Sequence, residues 1–244
     1  MNYRDRVADF LLNFKLECFG AILIVGPKGC GKTTTAKHHA RSFIELQDED
    51  NRDAYISVAA VQPSRLLAGE NPRLIDEWQD APKIWGAVRK SVDDKQENGL
   101  YILTGSTSQS VETPHTGTMR ISRMEMLPMS LHESGESNGT VSIAELFENP
   151  EGFSGCESPL ELQDLIFAIC RGGWPRAISN RTKRAQLAGV RTCIGKRVMW
   201  MHQTLTELKK TRNGAIPSCG HMQGTFALWR KQKQSAATSF LRQI

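Results

Sequence analysis

The stretch GPKGCGKTTT, residues 26–35, sets the first chemical expectation. It meets the pattern G-x-x-x-x-G-K-[ST] at Gly26, Gly31, Lys32 and Thr33, the signature of a phosphate-binding loop. Small residues let main-chain N–H groups approach phosphate oxygens, Lys32 supplies positive charge, and the Thr33 hydroxyl can ligate magnesium. The cradle so read comprises Gly26, Pro27, Lys28, Gly29, Cys30, Gly31, Lys32, Thr33 and Thr34. Glycine at 29 and 31 permits a positive φ. Cys30 reads as a small wall residue, since the chemistry needs no covalent enzyme intermediate. The bland alternative, a surface turn with one exposed lysine, requires the setting to be accidental: an apolar run at 21–25 precedes the loop and a helix-forming segment follows it.

A phosphate cradle that hydrolyses a nucleoside triphosphate needs acidic groups beyond it. Asp76 follows the apolar pair Leu74 and Ile75 and is positioned to hold magnesium directly or through water. Glu77 points differently and can orient water for attack on the γ-phosphate. This division resembles the Walker B segment of ATPases with an extra central strand. Adjacent acids at a strand end can instead be solvated loop residues. A third element ends in Thr104 and Ser106, whose hydroxyls can sense water or γ-phosphate, or simply cap the next turn; Gln79 and Gln109 are further sensor candidates. The catalytic candidates are therefore Lys32, Glu77 and Thr104, the magnesium ligands Thr33 and Asp76, and the cofactors ATP and Mg2+. Arg120 and Arg123 are candidates for an arginine that completes the site, against a plain solvated role.

These groups need elements to hold them. Val7, Phe10, Leu11 and Phe14 approximate the i, i+3, i+4, i+7 pattern, so a helix over 6–19 is expected to pack by that stripe. A helix is expected after the loop at 32–41, where a bound phosphate and the helix N-terminus favour each other. Residues 42–47 read as a strand, 53–61 as a helix that Pro63 ends, 74–75 as a strand, 81–95 as a helix, 99–105 as a strand and 119–126 as a return strand. Residues 106–117 read as a mobile loop, and 127–140 as a surface excursion with little apolar support. A helix over 160–170 carries Leu162, Leu165, Ile166 and Ile169 on one stripe, closed by the turn at 171–178. Strands alternating with helix-sized segments give an α/β class. The domain expectation is a P-loop ATPase core at 1–131, a helical extension at 132–180 and a basic, atypical, partly disordered tail at 181–244.

A chain of 244 residues suffices for one substantial core with a small accessory part. No apolar run approaches the roughly 20 residues that span a bilayer, and the N-terminus lacks a signal-like apolar core. The six cysteines show no paired C-x-x-C spacing; reduced or buried thiols and a cytoplasmic location are expected. His38 and His39 are adjacent rather than i, i+4, and the other histidines form no local cluster, so zinc is not expected. The net charge of +5 is split: residues 181–244 hold 13 Lys/Arg and one acid, leaving 18 basic and 25 acidic residues before them. The tail can contact nucleic acid phosphates or acidic headgroups by a nonspecific, salt-sensitive mechanism, with Trp200 and Trp229 as stacking groups, although no recognition signature accompanies them.

Taken together, GPKGCGKTTTAKHHA, PRLIDEWQDAP, LYILTGSTSQ, RISRMEMLPMSLHESGESNG and CRGGWPRAI resemble the prokaryotic AAA-like ATPases, whose nucleotide domain is commonly followed by an uncharacterised C-terminal domain. The resemblance spans residues 3–178 and implies a P-loop NTPase with a RecA-like parallel sheet flanked by helices, ATP binding and hydrolysis. It carries the phosphate-loop positions onto Gly26, Gly31, Lys32 and Thr33, the acidic pair onto Asp76 and Glu77, and the sensor-strand end onto residues 104–106. It fades after about residue 180 together with the acidic residues, from which a truncated or frame-altered product is expected; reading the encoding DNA in all frames tests this. Three functions fit: an ATP-hydrolysing switch or remodelling component, an ATP-binding interaction protein without efficient turnover, and a nucleic-acid-binding ATPase. The expected partners beyond ATP are a second copy of the chain, a protein client, or nucleic acid through the tail.

Overall fold

Side chains of a strand alternate between its two faces, and a strand buried on both must be apolar throughout. The first strand, β1 (Ala21–Gly26), is of this kind, buried at all six positions. The computed structural model describes residues 3–106, 119–153, 156–188 and 190. The loop expected at 107–117 with Gln109, the side chain of Ser106, and Trp200 and Trp229 of the tail lie outside the described residues. The chain divides into two units, Met1–Asn180 and Arg181–Ile244. In the second, residues 183–188 are helical; every element named below belongs to the first.

Its order is α1 (Val7–Cys18), β1, α2 (Lys32–His39), β2 (Ser42–Glu45), α3 (Arg52–Val61), β3 (Arg73–Asp76), α4 (Lys83–Lys95), β4 (Tyr101–Ser106), β5 (Ile121–Glu125), α5 (Ile143–Glu148), α6 (Leu162–Arg171) and α7 (Pro175–Ile178). The five strands form one sheet in the order β2-β3-β4-β1-β5, parallel at every pairing. Ala21, Leu23 and Val25 share one face with Ile75, Leu103, Ile84, Trp85 and Val88, under α4. Ile22 and Ile24 share the other with Leu74, Ile102, Leu12 of α1 and Ala36 of α2. This is the α/β P-loop arrangement expected, with β4 inserted between β1 and β3.

The stripe of α1 does not pack as expected, and the apolar stripe of α6 is exposed too. On α1, Val7, Phe10, Leu11 and Phe14 are exposed, Phe10 at 82%; the helix docks instead through Leu12, with Ala8 and Leu16 partly buried beside it. On α6, Leu162, Leu165, Ile166 and Ile169 are likewise exposed, and Ala168 and Arg171 are the buried positions. Periodicity identifies an amphipathic helix, but does not say which neighbours exist to cover its apolar side.

The segment at 127–140 also differs from a loose surface excursion. Met129 is buried, and its N–H donates to Gly173 O at 2.7 Å. Glu136 receives Arg171 through both guanidinium ends at 2.7 Å. Gly173 permits this approach, because a Cβ there would lie 2.0 Å from the Met129 carbonyl oxygen. Gly173→Ala must therefore displace backbone, and is expected to cost at least about 1–3 kcal/mol, read as a lowered urea midpoint.

Candidate functional site

The carboxyl ends of parallel strands are where α/β sheets offer crevices, and the loop at 26–34, Asp76, Glu77 and Thr104 converge there. β1 ends at Gly26, and a Cβ at that position would sit 2.1 Å from Met126 O; only glycine lets the loop leave the sheet so close to the chain after β5. The loop turns through Gly29 at φ +82° and Gly31 at φ +106°, a region that glycine adopts without steric cost. Lys28, Gly29 and Thr34 are exposed, Pro27, Gly31 and Thr33 half-buried, and Cys30 and Lys32 buried. Lys32 Nζ reaches back across the loop to Gly26 O at 3.0 Å and Pro27 O at 3.2 Å. Thr35 N closes the first turn of α2 on Gly31 O at 2.9 Å, so the helix begins at the loop and its N-terminal N–H groups face it.

Cys30 is fully buried, its thiol contacting Met126 O at 3.5 Å. Burial raises its pKa against the opposing pull of Lys32 and Arg6. A protonated buried thiol is a poor nucleophile, as a wall residue should be.

The acids reach the loop through strand register. β3 and β4 pair Leu74 with Ile102 and Ile75 with Leu103; one residue further, Asp76 stands beside Thr104, on the face that carries α2. Asp76 Oδ1 accepts from Thr33 Oγ1 at 2.9 Å and from the Thr104 hydroxyl. A hydroxyl and a carboxylate so close form a pair of hard oxygen donors, which suits magnesium completed by substrate phosphates and water. Among the described residues, no group of three or more His, Cys, Asp or Glu is arranged to hold a metal ion.

Thr104, the expected sensor, is engaged by both acidic residues. It is fully buried; its one hydroxyl proton goes to Asp76, while its oxygen accepts the Glu77 N–H at 3.2 Å. In this arrangement its hydroxyl joins the two acidic residues. Glu77 stands at φ +55° and ψ +49°, a left-handed conformation that costs a non-glycine residue roughly 1–2 kcal/mol, and such strain clusters at functional sites. Its carboxylate receives the Gln79 side-chain amide. Gln79 fits because Gly105 lacks a side chain: a Cβ there would be 2.9 Å from Gln79 Oε1. Gln79 thus orients Glu77, a role that sequence spacing alone does not reveal.

The arginine candidates lie elsewhere. Arg120 O accepts from Ala21 N at 3.0 Å, at the start of β1 and so at the opposite end of the sheet, and its side chain pairs with Asp93 at 2.5 Å. Arg123 is exposed on β5, paired in register with Leu23. Neither reaches the loop of its own chain. His38 stacks on Tyr3, with ring centroids 4.0 Å apart, and His39 bonds Asp9 at 3.0 Å.

The residue that sequence reading missed is Arg6. Its guanidinium is buried beside the loop, donating to Cys30 O at 3.0 Å, Leu127 O at 2.9 Å and Glu133 Oε1 at 2.9 Å. Its only sequence signal is an arginine just before an amphipathic helix, too common a feature to single out.

Residues 19–135 match the family model described as an AAA domain. Among solved structures, the chain is similar to C. elegans PCH-2, with a TM-score of 0.40 and 14% identity over 76% of this chain and 66% of that one. It is also similar to AMPPCP-bound DnaA from Aquifex aeolicus, with a TM-score of 0.43 and 12% identity over 89% of this chain and 72% of that one. The chain therefore spans just under two thirds of the PCH-2 chain. No curated protein matches it. No described helix is long and apolar enough to cross a membrane. The G-x-x-x-x-G-K-[ST] sequence at the carboxyl end of the parallel β2-β3-β4-β1-β5 sheet lies within residues 19–135, the segment of this chain that matches the AAA-domain model.

Proposed function

We propose that the chain binds ATP with magnesium and hydrolyses it to ADP and phosphate, as a switch or remodelling component working in the cytoplasm. The observation that carries this reading is the meeting of Thr33, Asp76 and Thr104, with Glu77 fixed beside them. The loop from Gly26 to Thr34 would hold the phosphates by its main-chain N–H groups, and Lys32 would exchange its two carbonyl partners for phosphate oxygens. Thr33 and Asp76 would hold magnesium, which when bound neutralises charge on the transferring phosphoryl group. Glu77, aligned by the Gln79 amide, would orient the attacking water. Thr104 would keep both acids in place.

The test is phosphate release and nucleotide binding by the purified chain, with and without a magnesium chelator. Magnesium-dependent release supports the proposal. Tight nucleotide binding with no release at any magnesium concentration would leave the second reading, an interaction protein switched by occupancy alone. The third reading, nucleic-acid binding through residues 181–244, would be tested by salt-dependent association that is lost when they are removed.

A further inference from the structure

A phosphate loop works only if its peptide planes present N–H groups to the ligand, so each carbonyl must face away and find a donor. Across a trans peptide the C=O and the next N–H point in opposite directions. The Cys30–Gly31 peptide is held from behind: Arg6 Nη1 donates to Cys30 O at 3.0 Å, which turns the Gly31 N–H to the other side. The same guanidinium lies against Gly31, where a Cβ would approach Nη1 to 3.2 Å.

Arg6 is itself over-determined. It is 8% exposed, and its Nε bonds Glu133 Oε1 at 2.9 Å while Nη2 bonds Leu127 O at 2.9 Å. Glu133 in turn accepts from Val7 N at 2.8 Å and from Ser130 N at 2.7 Å and Oγ at 3.0 Å. Burial would raise the Glu133 pKa, but those main-chain bonds and the Arg6 guanidinium outweigh it and hold the group below the usual carboxylate range. A second set of bonds ties the same N-terminal stretch to α2. Tyr3 Oη bonds Asp9 at 2.6 Å and lies 3.0 Å from Thr35 Oγ1, and Asp9 also receives Arg6 N at 2.7 Å.

We infer that Arg6, held by Glu133, is a positioning residue for the nucleotide site: it sets the Cys30–Gly31 peptide so that the loop is pre-formed for the phosphates. This rests on the nucleotide-binding reading and adds to it a control from residues 24 and 103 positions away from Cys30. Lysine cannot replace it, because one ammonium cannot span three acceptors in the directions a planar guanidinium fork reaches.

The experiment measures Mg-ADP dissociation constants by calorimetry at 10 °C, and unfolding midpoints without nucleotide, for wild type, Arg6→Lys, Glu133→Gln and Arg171→Lys. Arg171→Lys perturbs another ion pair of the same unit, Arg171–Glu136 at 2.7 Å. Arg6→Lys is expected to weaken Mg-ADP about tenfold, and Glu133→Gln to weaken it in the same direction by less. Arg171→Lys should lower the midpoint and leave affinity unchanged. Glu133→Gln keeps the side chain's shape and carries the test if Arg6→Lys does not fold. Wild-type affinity in both the Arg6 and Glu133 variants, or an equal loss in Arg171→Lys, overturns the inference alone. No Mg-ADP binding by folded wild type overturns the nucleotide reading and the inference with it.

Discussion

Glu77→Gln is expected to bind Mg-ATP as tightly as wild type and to release phosphate about 10²- to 10⁴-fold more slowly. The amide keeps the size of the carboxylate and an acceptor for the Gln79 side chain, and the backbone stays held by the Thr104 hydroxyl. What it loses is the charge and basicity that orient and deprotonate water. Because Glu77 does not touch the cradle, binding should survive. Calorimetry beside steady-state phosphate release separates the two effects. Unchanged turnover would remove Glu77 from the chemistry and point to another base; loss of binding would make it a structural residue.

Lys32→Ala should fail at the earlier step. Its ammonium is buried and bridges Gly26 O and Pro27 O, so its removal leaves two loop carbonyls without their donor and takes the cradle's buried positive charge away. The loss should appear in affinity and turnover together, with phosphate release down about 10²- to 10³-fold, the scale for removing one donor to transition-state charge. The contrast with Glu77→Gln is the diagnostic: one variant binds and does not turn over, the other does neither. Lys32→Ala with wild-type affinity and turnover would mean that phosphates do not occupy this loop. The unfolding midpoint should be measured in parallel, since the buried lysine stem also packs.

Much of this site was legible in one dimension because its signals are local. The glycines at 26, 29 and 31 answer to close approach and to positive φ within a few residues. Asp76 and Glu77 follow a short apolar strand, and side-chain alternation puts Asp76 on the same face as Leu74 and Thr104 on the same face as Ile102. The order of strands was not accessible, because the pairing of the Thr104 strand with the Asp76 strand joins segments more than twenty residues apart. The partner of the Thr104 hydroxyl was not legible, since sequence cannot say that a neighbouring carboxylate takes its only proton.

Residue type and short spacing determined the α/β class, the glycine turn at 26–31 and the acids at the end of β3, since each is fixed by backbone geometry over one strand or one turn. Tertiary structure alone decided that Arg6 meets Glu133 across 127 positions, that Gln79 rests over Gly105, and that α1 docks through Leu12 while Phe10 faces outward. A helix's apolar period offers more than one side for packing, and a buried charge chooses its partner only when distant segments have closed around it. Those outcomes belong to the assembled sheet and its layers, where the desolvation of each group is set by chain that is remote in sequence.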